Sequence, residues 1–242
     1  VLENPKPTAI FGQHVHPPLA AGKIGMKPGM YMASADELYI SVFGQGGHGA
    51  LPQDCVDPIT ISAQIITALQ QIVSRQSDPT SPTVLTIGKI WSVGGSTNVI
   101  TNEVKMKGTF RSMNEERRFK AHENMKRMAE GIAEAMGGRC EFNIVVGYPF
   151  LMNDEELTVK VKARAIEYMG KENVVDLPIR MTAEDFSYYS QEMPAVFYRL
   201  GTGNKERGIT SPVHTDTFDV DESSMELSTG LMAWLAVREL ME

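Results

Sequence analysis

The tightest limit on what this chain can fold into is an alternation of short strand-like segments with two long, well-capped helical ones. YISVF (39–43) is a run of β-branched and aromatic residues closed by GQGG. Asp57 then precedes PITISAQIITALQQIVSRQ. Asp is a good N-cap, Pro58 suits the first helical position, and Ile61, Ile65, Ile66, Leu69 and Ile72 fall on one face. TVLTIGKIWSV (83–93) and EVKMKGTFRS (103–112) read as strands on either side of a turn at GGSTN. Asn114 caps the segment EERRFKAHENMKRMAEGIAEAMGG, which is charged on one face and stopped by Gly137 and Gly138. CEFNIVVGYP (140–149) closes the series. The order strand, helix, strand, strand, helix, strand predicts a ferredoxin-like βαββαβ unit over 34–147, an open four-stranded sheet with two helices on one face.

The flanking residues belong to something else. A helix is expected from Asp154 to Met169, then the turn-rich EDFSYYSQEMP, the strand AVFYRLG, a Gly-rich loop and SPVHTDTFDVDE. A last amphipathic helix from Glu222 is apolar at Leu227, Leu231, Trp234, Leu235 and Val237. Residues 1–33 and 148–242 therefore read as parts of one α/β domain interrupted by the βαββαβ insertion. The opening VLENPKPTAIFGQH has no methionine and runs straight into the strand-like AIFG, so the chain reads as a fragment that starts in mid-fold.

Charge and cysteine usage narrow the function classes. A formal net charge of −7 argues against nucleic acid and against an electrostatic hold on anionic membranes. No apolar run approaches the ~20 residues of a membrane span, and nothing resembles a signal peptide. Cys55 and Cys140 are far apart and form no C-x-x-C pattern, which suits free thiols in a reducing compartment and leaves a single disulfide open. A cytoplasmic protein is the expectation.

Five histidines are available. His122, within the charged helix, is expected to be a solvated surface residue. His14 directly follows the predicted strand AIFG, a place from which a side chain can leave the sheet edge toward a metal. His214 lies in a loop with Asp216 placed to orient it. For both, a hydrogen-bonded structural histidine is the alternative. His16 shares a strand face with His14 and is expected to line a rim and not to bind metal. His48 sits among the glycines of GQGGHGALP, a loop that can bring its backbone close to a ligand, or else a tight turn with an incidental histidine. Asn98 in GGSTNVI is a turn residue or a polar contact; Arg111 ends a strand and could meet a carboxylate in a bidentate fork. Glu184 and Asp185 form a carboxylate pair at an expected helix start, where the dipole alone would explain them.

Taken in order, FGQHVHP, GQGGHGALPQDCVDP, GGSTNVI, GTFRS, EDFSYY and SPVHTDTFDVDE resemble the metal-dependent amidohydrolases and peptidases of the M20 clan. The branch they are most similar to contains N-acyl-amino-acid, hippurate and auxin-conjugate hydrolases. The resemblance implies a catalytic α/β domain holding two divalent ions (zinc, manganese, cobalt or nickel), interrupted by a smaller domain that forms a homodimer. It implies His14 and His214 as metal ligands, and His48 as a residue that reaches the partner subunit's site to stabilise an oxyanion. Asn98 and Arg111 would bind the carbonyl or carboxylate of a small N-acyl amino acid or peptide, with Glu184 near the pocket. It also implies that the Cys, His and Glu ligands and the glutamate base lie in a segment ahead of Val1, and Cys55 does not match the ligand cysteine. A catalytically inactive truncated piece acting mainly as a dimerisation module is the alternative reading, and a carboxylate-binding accessory protein a third.

Overall fold

Side-chain caps fix where the helices begin. In the computed structural model, which describes residues 3–241, the carboxylate of Asp57 accepts from Ile59 N–H at 2.9 Å, Asn114 from Arg117 N–H at 2.9 Å, and Asp154 from Leu157 N–H at 2.8 Å. The elements in chain order open with β1 (Ile10–Ala20), β2 (Ile24–Met26), β3 (Gly29–Met32), β4 (Asp36–Phe43), β5 (Gly47–His48) and α1 (Pro58–Gln71). There follow β6 (Thr83–Ser92), β7 (Val99–Ile100), β8 (Glu103–Ser112), α2 (Glu115–Ala135), β9 (Arg139–Val146) and β10 (Leu151–Asn153). The series ends with α3 (Glu155–Met169), β11 (Val174–Asp176), α4 (Ser187–Ser190), β12 (Ala195–Gly203) and α5 (Ser223–Leu240). The fold is mixed α/β, and it divides into two compact units.

One unit comprises Met32–Phe150 with Met181–Glu184. Its sheet has the order β6-β8-β4-β9 with every pairing antiparallel, which is the topology that βαββαβ connectivity gives. Alternation along β4 buries Leu38, Ile40 and Val42 against Ile61, Ile65 and Leu69 of α1 and Met125, Ala129 and Ala133 of α2. The segment Met181–Glu184 joins this unit through Ala33 N–H, which donates to Thr182 O at 3.1 Å.

The other unit comprises residues 3–31, Leu151–Arg180 and 185–241. Its sheet has the order β1-β12-β2-β11, with β1 and β12 parallel. β12 is buried along its whole length, as the near-continuous apolar run AVFYRLG suggests. Val196, Tyr198 and Leu200 pack on one face against Leu157, Val161 and Ala165 of α3 and Leu231 and Leu235 of α5. β1 does not stop before His14 as expected: it runs through both histidines and two prolines to Ala20. The prolines are tolerated because β1 lies at an edge of its sheet and the register breaks between His16 and Ala20.

His122 is the clearest departure from the sequence reading. Its ring is buried, and Nε2 donates to the Asp36 carboxylate at 2.7 Å. Asp36, 1% exposed, also accepts from Arg118 Nε at 2.9 Å and from Arg118 Nη2, while Arg118 Nη1 reaches Glu115 at 2.8 Å. Glu115 accepts in turn from Phe150 N–H at 3.0 Å. The network ties the start of β4 to the first turns of α2 and to the exit of β9. Helix periodicity hid it because the partner carboxylate lies on a strand far away in sequence.

Burial pushes the Asp36 carboxyl up, but hydrogen bonds from Arg118 and His122 outweigh it and hold its pKa below the ordinary value. Because the folded-state pKa is depressed, Asp36 stabilises the fold above its unfolded value near 3.9, and that stabilisation is lost as pH falls through the acid range. Asp36→Asn removes the bidentate counter-charge of buried Arg118, leaving it only the pair with the partly exposed Glu115, and should lower stability by about 3 kcal/mol in urea unfolding. A change below about 1 kcal/mol would contradict the network's structural role.

Candidate functional site

The candidate residues fall into two groups, one in each unit. In the sheet of β1 and β12, side chains alternate, so Gly12, His14 and His16 share the face opposite α3 and α5. The Phe197 and Phe186 rings stack at 5.2 Å on that same face, and a Cβ at Gly12 would lie 2.7 Å from the Phe186 ring. Glycine is therefore required two residues before His14 to seat these rings, and His14 meets the edge of Phe197 at 6.4 Å.

His14 Nδ1 lies 2.7 Å from the Val15 carbonyl oxygen. A carbonyl only accepts, so Nδ1 carries the proton and the Nε2 lone pair is left for a Lewis acid. Metal-bound histidines are oriented by this kind of contact. Burial lowers the His14 pKa against the opposing effect of the Val15 bond, and Arg199, His214 and Arg180 lower it further. His16 is pushed down to about 4 by burial, Arg180, Arg199 and His14. The structure thus brings His14 and His214 within electrostatic range of each other. His214 is exposed and has φ of 64°, a left-handed backbone that no other non-glycine residue adopts among the described residues. Among the described residues it makes no hydrogen bond or ion pair with Asp216, so the orienting role expected of that carboxylate is not borne out.

Among the described residues, no three His, Cys, Asp or Glu side chains converge on one point as a metal set. His14 and His214 fit part of such a set, as two nitrogen donors of which one has its tautomer fixed for ligation. Arg180, Arg199 and Tyr31 were not singled out from the sequence. Arg199, 5% exposed, acts on His14, His16 and the fully buried Tyr31, whose phenol burial pushes up. The available signal was a charged residue inside the apolar run AVFYRLG, in register with His14.

The second group sits on a ribbon. β5 and β7 pair antiparallel, with His48 opposite Val99 and Gly49 N–H donating to Asn98 O at 2.8 Å. The ribbon prolongs the β4–β8 ladder past its last pair, Phe43 and Glu103. A Cβ on Gly46 would lie 2.5 Å from Ile100 O, so glycine there permits the close approach. His48 is exposed, and its Nδ1 accepts from Ala50 N–H at 3.1 Å. The proton of neutral His48 is therefore on Nε2, the reverse of His14.

Arg111 belongs to the same unit but not to the same place. It lies near the far end of β8, eight residue steps from Glu103, or about 27 Å at roughly 3.4 Å per residue. Its Nη1 is buried with no hydrogen-bond partner, beside a cleft of about 610 Å³ lined in part by Tyr39, Lys107, Thr109 and Tyr148. Glu184 is half-buried in the segment Met181–Glu184, and the helix expected to start there, α4, begins only at Ser187. The structure brings His48 and Asn98 together and separates both from Arg111.

The family model of "Peptidase family M20/M25/M40" matches residues 1–237. The chain is 35% identical over 230 residues to the N-acetylcysteine deacetylase of Bacillus subtilis, covering 95% of this chain and 58% of that protein. It is 34% identical over 250 residues to IAA-amino acid hydrolase ILR1-like 4 of Arabidopsis thaliana, covering 100% and 55%. A crystal structure of a dinuclear metal binding peptidase of the M20 family from Bacillus subtilis superposes with a TM-score of 0.73 at 30% identity, covering 97% of this chain and 58% of that one. The chain thus spans little more than half the length of the proteins it matches. No helix among the described residues is long and apolar enough to cross a membrane.

An imidazole titration followed by NMR should find His16 neutral down to about pH 4 and the His14 midpoint below the ordinary 6.5. Midpoints at or above that value would contradict the placement of both rings among Arg180 and Arg199. Because both folded values are depressed, these histidines lower stability as pH falls from about 6.5.

Proposed function

The chain belongs to peptidase family M20/M25/M40, and on that premise we propose that the protein carrying it hydrolyses the amide bond of N-acyl amino acids or small peptide conjugates. The observation that carries this reading is the pair of opposite tautomers. His14 presents a lone pair and His48 presents an N–H, each fixed by a backbone group. His14 and His214 hold part of a divalent metal site, for zinc, manganese, cobalt or nickel, which further ligands complete in the whole protein. When bound, the metal supplies activation of water and polarisation of the scissile carbonyl.

His48 donates its Nε2–H to the oxygen that becomes negative as the tetrahedral intermediate forms, and Asn98 lies beside it on the same ribbon to contact the same region. Arg111, with an unused buried nitrogen, suits the carboxylate of the amino-acid moiety, and the family resemblance puts Glu184 near the substrate pocket. His48 and Asn98 lie at one end of β8 and Arg111 at the other, a span longer than a small N-acyl amino acid. That separation supports a homodimer built through the βαββαβ unit, in which the ribbon of one subunit serves the site of its partner.

In the full-length enzyme, His48→Ala should lower kcat by about 10²–10³-fold on an N-acetyl amino acid with KM little changed. An unchanged kcat would sink the assignment. His14→Ala should remove both activity and tightly held metal, read by elemental analysis after dialysis. Retention of full metal content would remove His14 from the ligand set.

A further inference from the structure

Helix α2 carries a second charged stripe that neither the buried Asp36 network nor the proposed function uses. Arg117, Lys120, Asn124 and Arg127 are spaced by three, four and three residues, so they share one face of the helix. That face borders a cleft of about 500 Å³ whose lining also holds Gln76 and Ser77. An irregularity at the end of α1 shapes this part of the cleft. Over Ile72–Gln76 the helix widens into a π turn, a rare form that recurs at functional sites. The Ser77 hydroxyl closes that turn by donating to Ile72 O at 2.9 Å. Gln76 then meets α2: its Oε1 accepts from Asn124 Nδ2 at 2.9 Å, and Asn124 Oδ1 accepts from Arg127 Nη2 at 2.8 Å.

Both amides thus spend their side-chain oxygen on a donor of the chain itself. What remains for a ligand is the Gln76 NH₂, the other N–H groups of Arg127 and the ammonium of Lys120. Lys120 makes no hydrogen bond or ion pair among the described residues. Arg117 is held by Asp78 at 3.3 Å. Glu123 is the one carboxylate in the lining, against three cations. Arg117 and Lys120 are like-charged neighbours at i,i+3, an arrangement that destabilises a helix on its own. Lys120 and Arg127 stand seven residues apart, about 10 Å along the axis at roughly 1.5 Å per residue, a spacing that suits a chain of phosphoryl groups better than a single one.

We infer that this cleft binds a small anion carrying a chain of phosphoryl groups, with Lys120 and Arg127 as its charged contacts and the Gln76 amide as a donor beside them. The site lies within the βαββαβ unit and stands independently of the amidohydrolase reading.

Titration of the ¹⁵N-labelled full-length protein with sodium tripolyphosphate, at a fixed ionic strength of about 0.15 M, tests it. The side-chain amide signals of Gln76 and Asn124 should shift and saturate, and inorganic phosphate should bind about tenfold more weakly. Lys120→Gln should weaken tripolyphosphate about tenfold with thermal unfolding unchanged, and Lys120→Arg should keep most of the affinity. Arg127→Gln should weaken it to a similar degree. No saturating shift with tripolyphosphate at about 10 mM overturns the site. Equal shifts from tripolyphosphate, phosphate and chloride reduce the effect to screening of a charged surface and overturn it as well. Full affinity in Lys120→Gln does the same. These readouts need no catalysis, so loss of the amidohydrolase reading and loss of this site are told apart.

Discussion

The unit that carries the ribbon depends on one buried carboxylate. Asp36 sits at the first residue of β4 with essentially no exposure, and an ion in that position is sustained only by good partners. Arg118 and His122 from α2 supply them, and Gly147 N–H adds a longer contact at 3.3 Å where the chain leaves β9. One side chain thereby fixes where the interior strand β4, the edge strand β9 and a helix meet. The rest of the unit is generic apolar packing between a pleated sheet and two helices.

What that frame delivers is a rigid support for the pairing of β4 with β8. The ribbon carrying His48 extends this pairing, so a well-registered sheet is what sets Gly47 and His48 opposite Ile100 and Val99. The other unit solves a different problem. There a parallel pair, β1 and β12, aligns His14 with Arg199, and burial, reinforced by Arg199 and Arg180, holds the pKa values of His14 and His16 below the ordinary one. His14 and His48 are the same residue type held in opposite tautomers. A carbonyl on Nδ1 leaves His14 with a free lone pair on Nε2, and an N–H on Nδ1 leaves the proton of neutral His48 on Nε2.

Much of this was legible in the sequence. Asp57, Asn114 and Asp154 announced their helices because capping is local, and the βαββαβ order followed from periods of two and 3.6. His14, His48, Asn98, Arg111, Glu184 and His214 were picked out by their motifs. Three things were hidden because they depend on partners distant in sequence. His122 looked solvated on a charged helix face, yet it binds a strand carboxylate. β1 looked as though it ended at Gly12, because its pairing with β12 overrides the two prolines. The tautomers of His14 and His48 depend on which backbone group faces Nδ1, and no pattern of residue types encodes that.

The central claim is that the ribbon of one subunit completes the metal-bearing site of another. Heterodimers of His14→Ala and His48→Ala subunits test it most directly, each variant being inactive alone. If His48 acts across the interface, one site in each heterodimer has both histidines intact, and activity on an N-acetyl amino acid should reappear on mixing. If mixing restores nothing while heterodimers demonstrably form, His14 and His48 serve the same site within one chain, and the account is wrong.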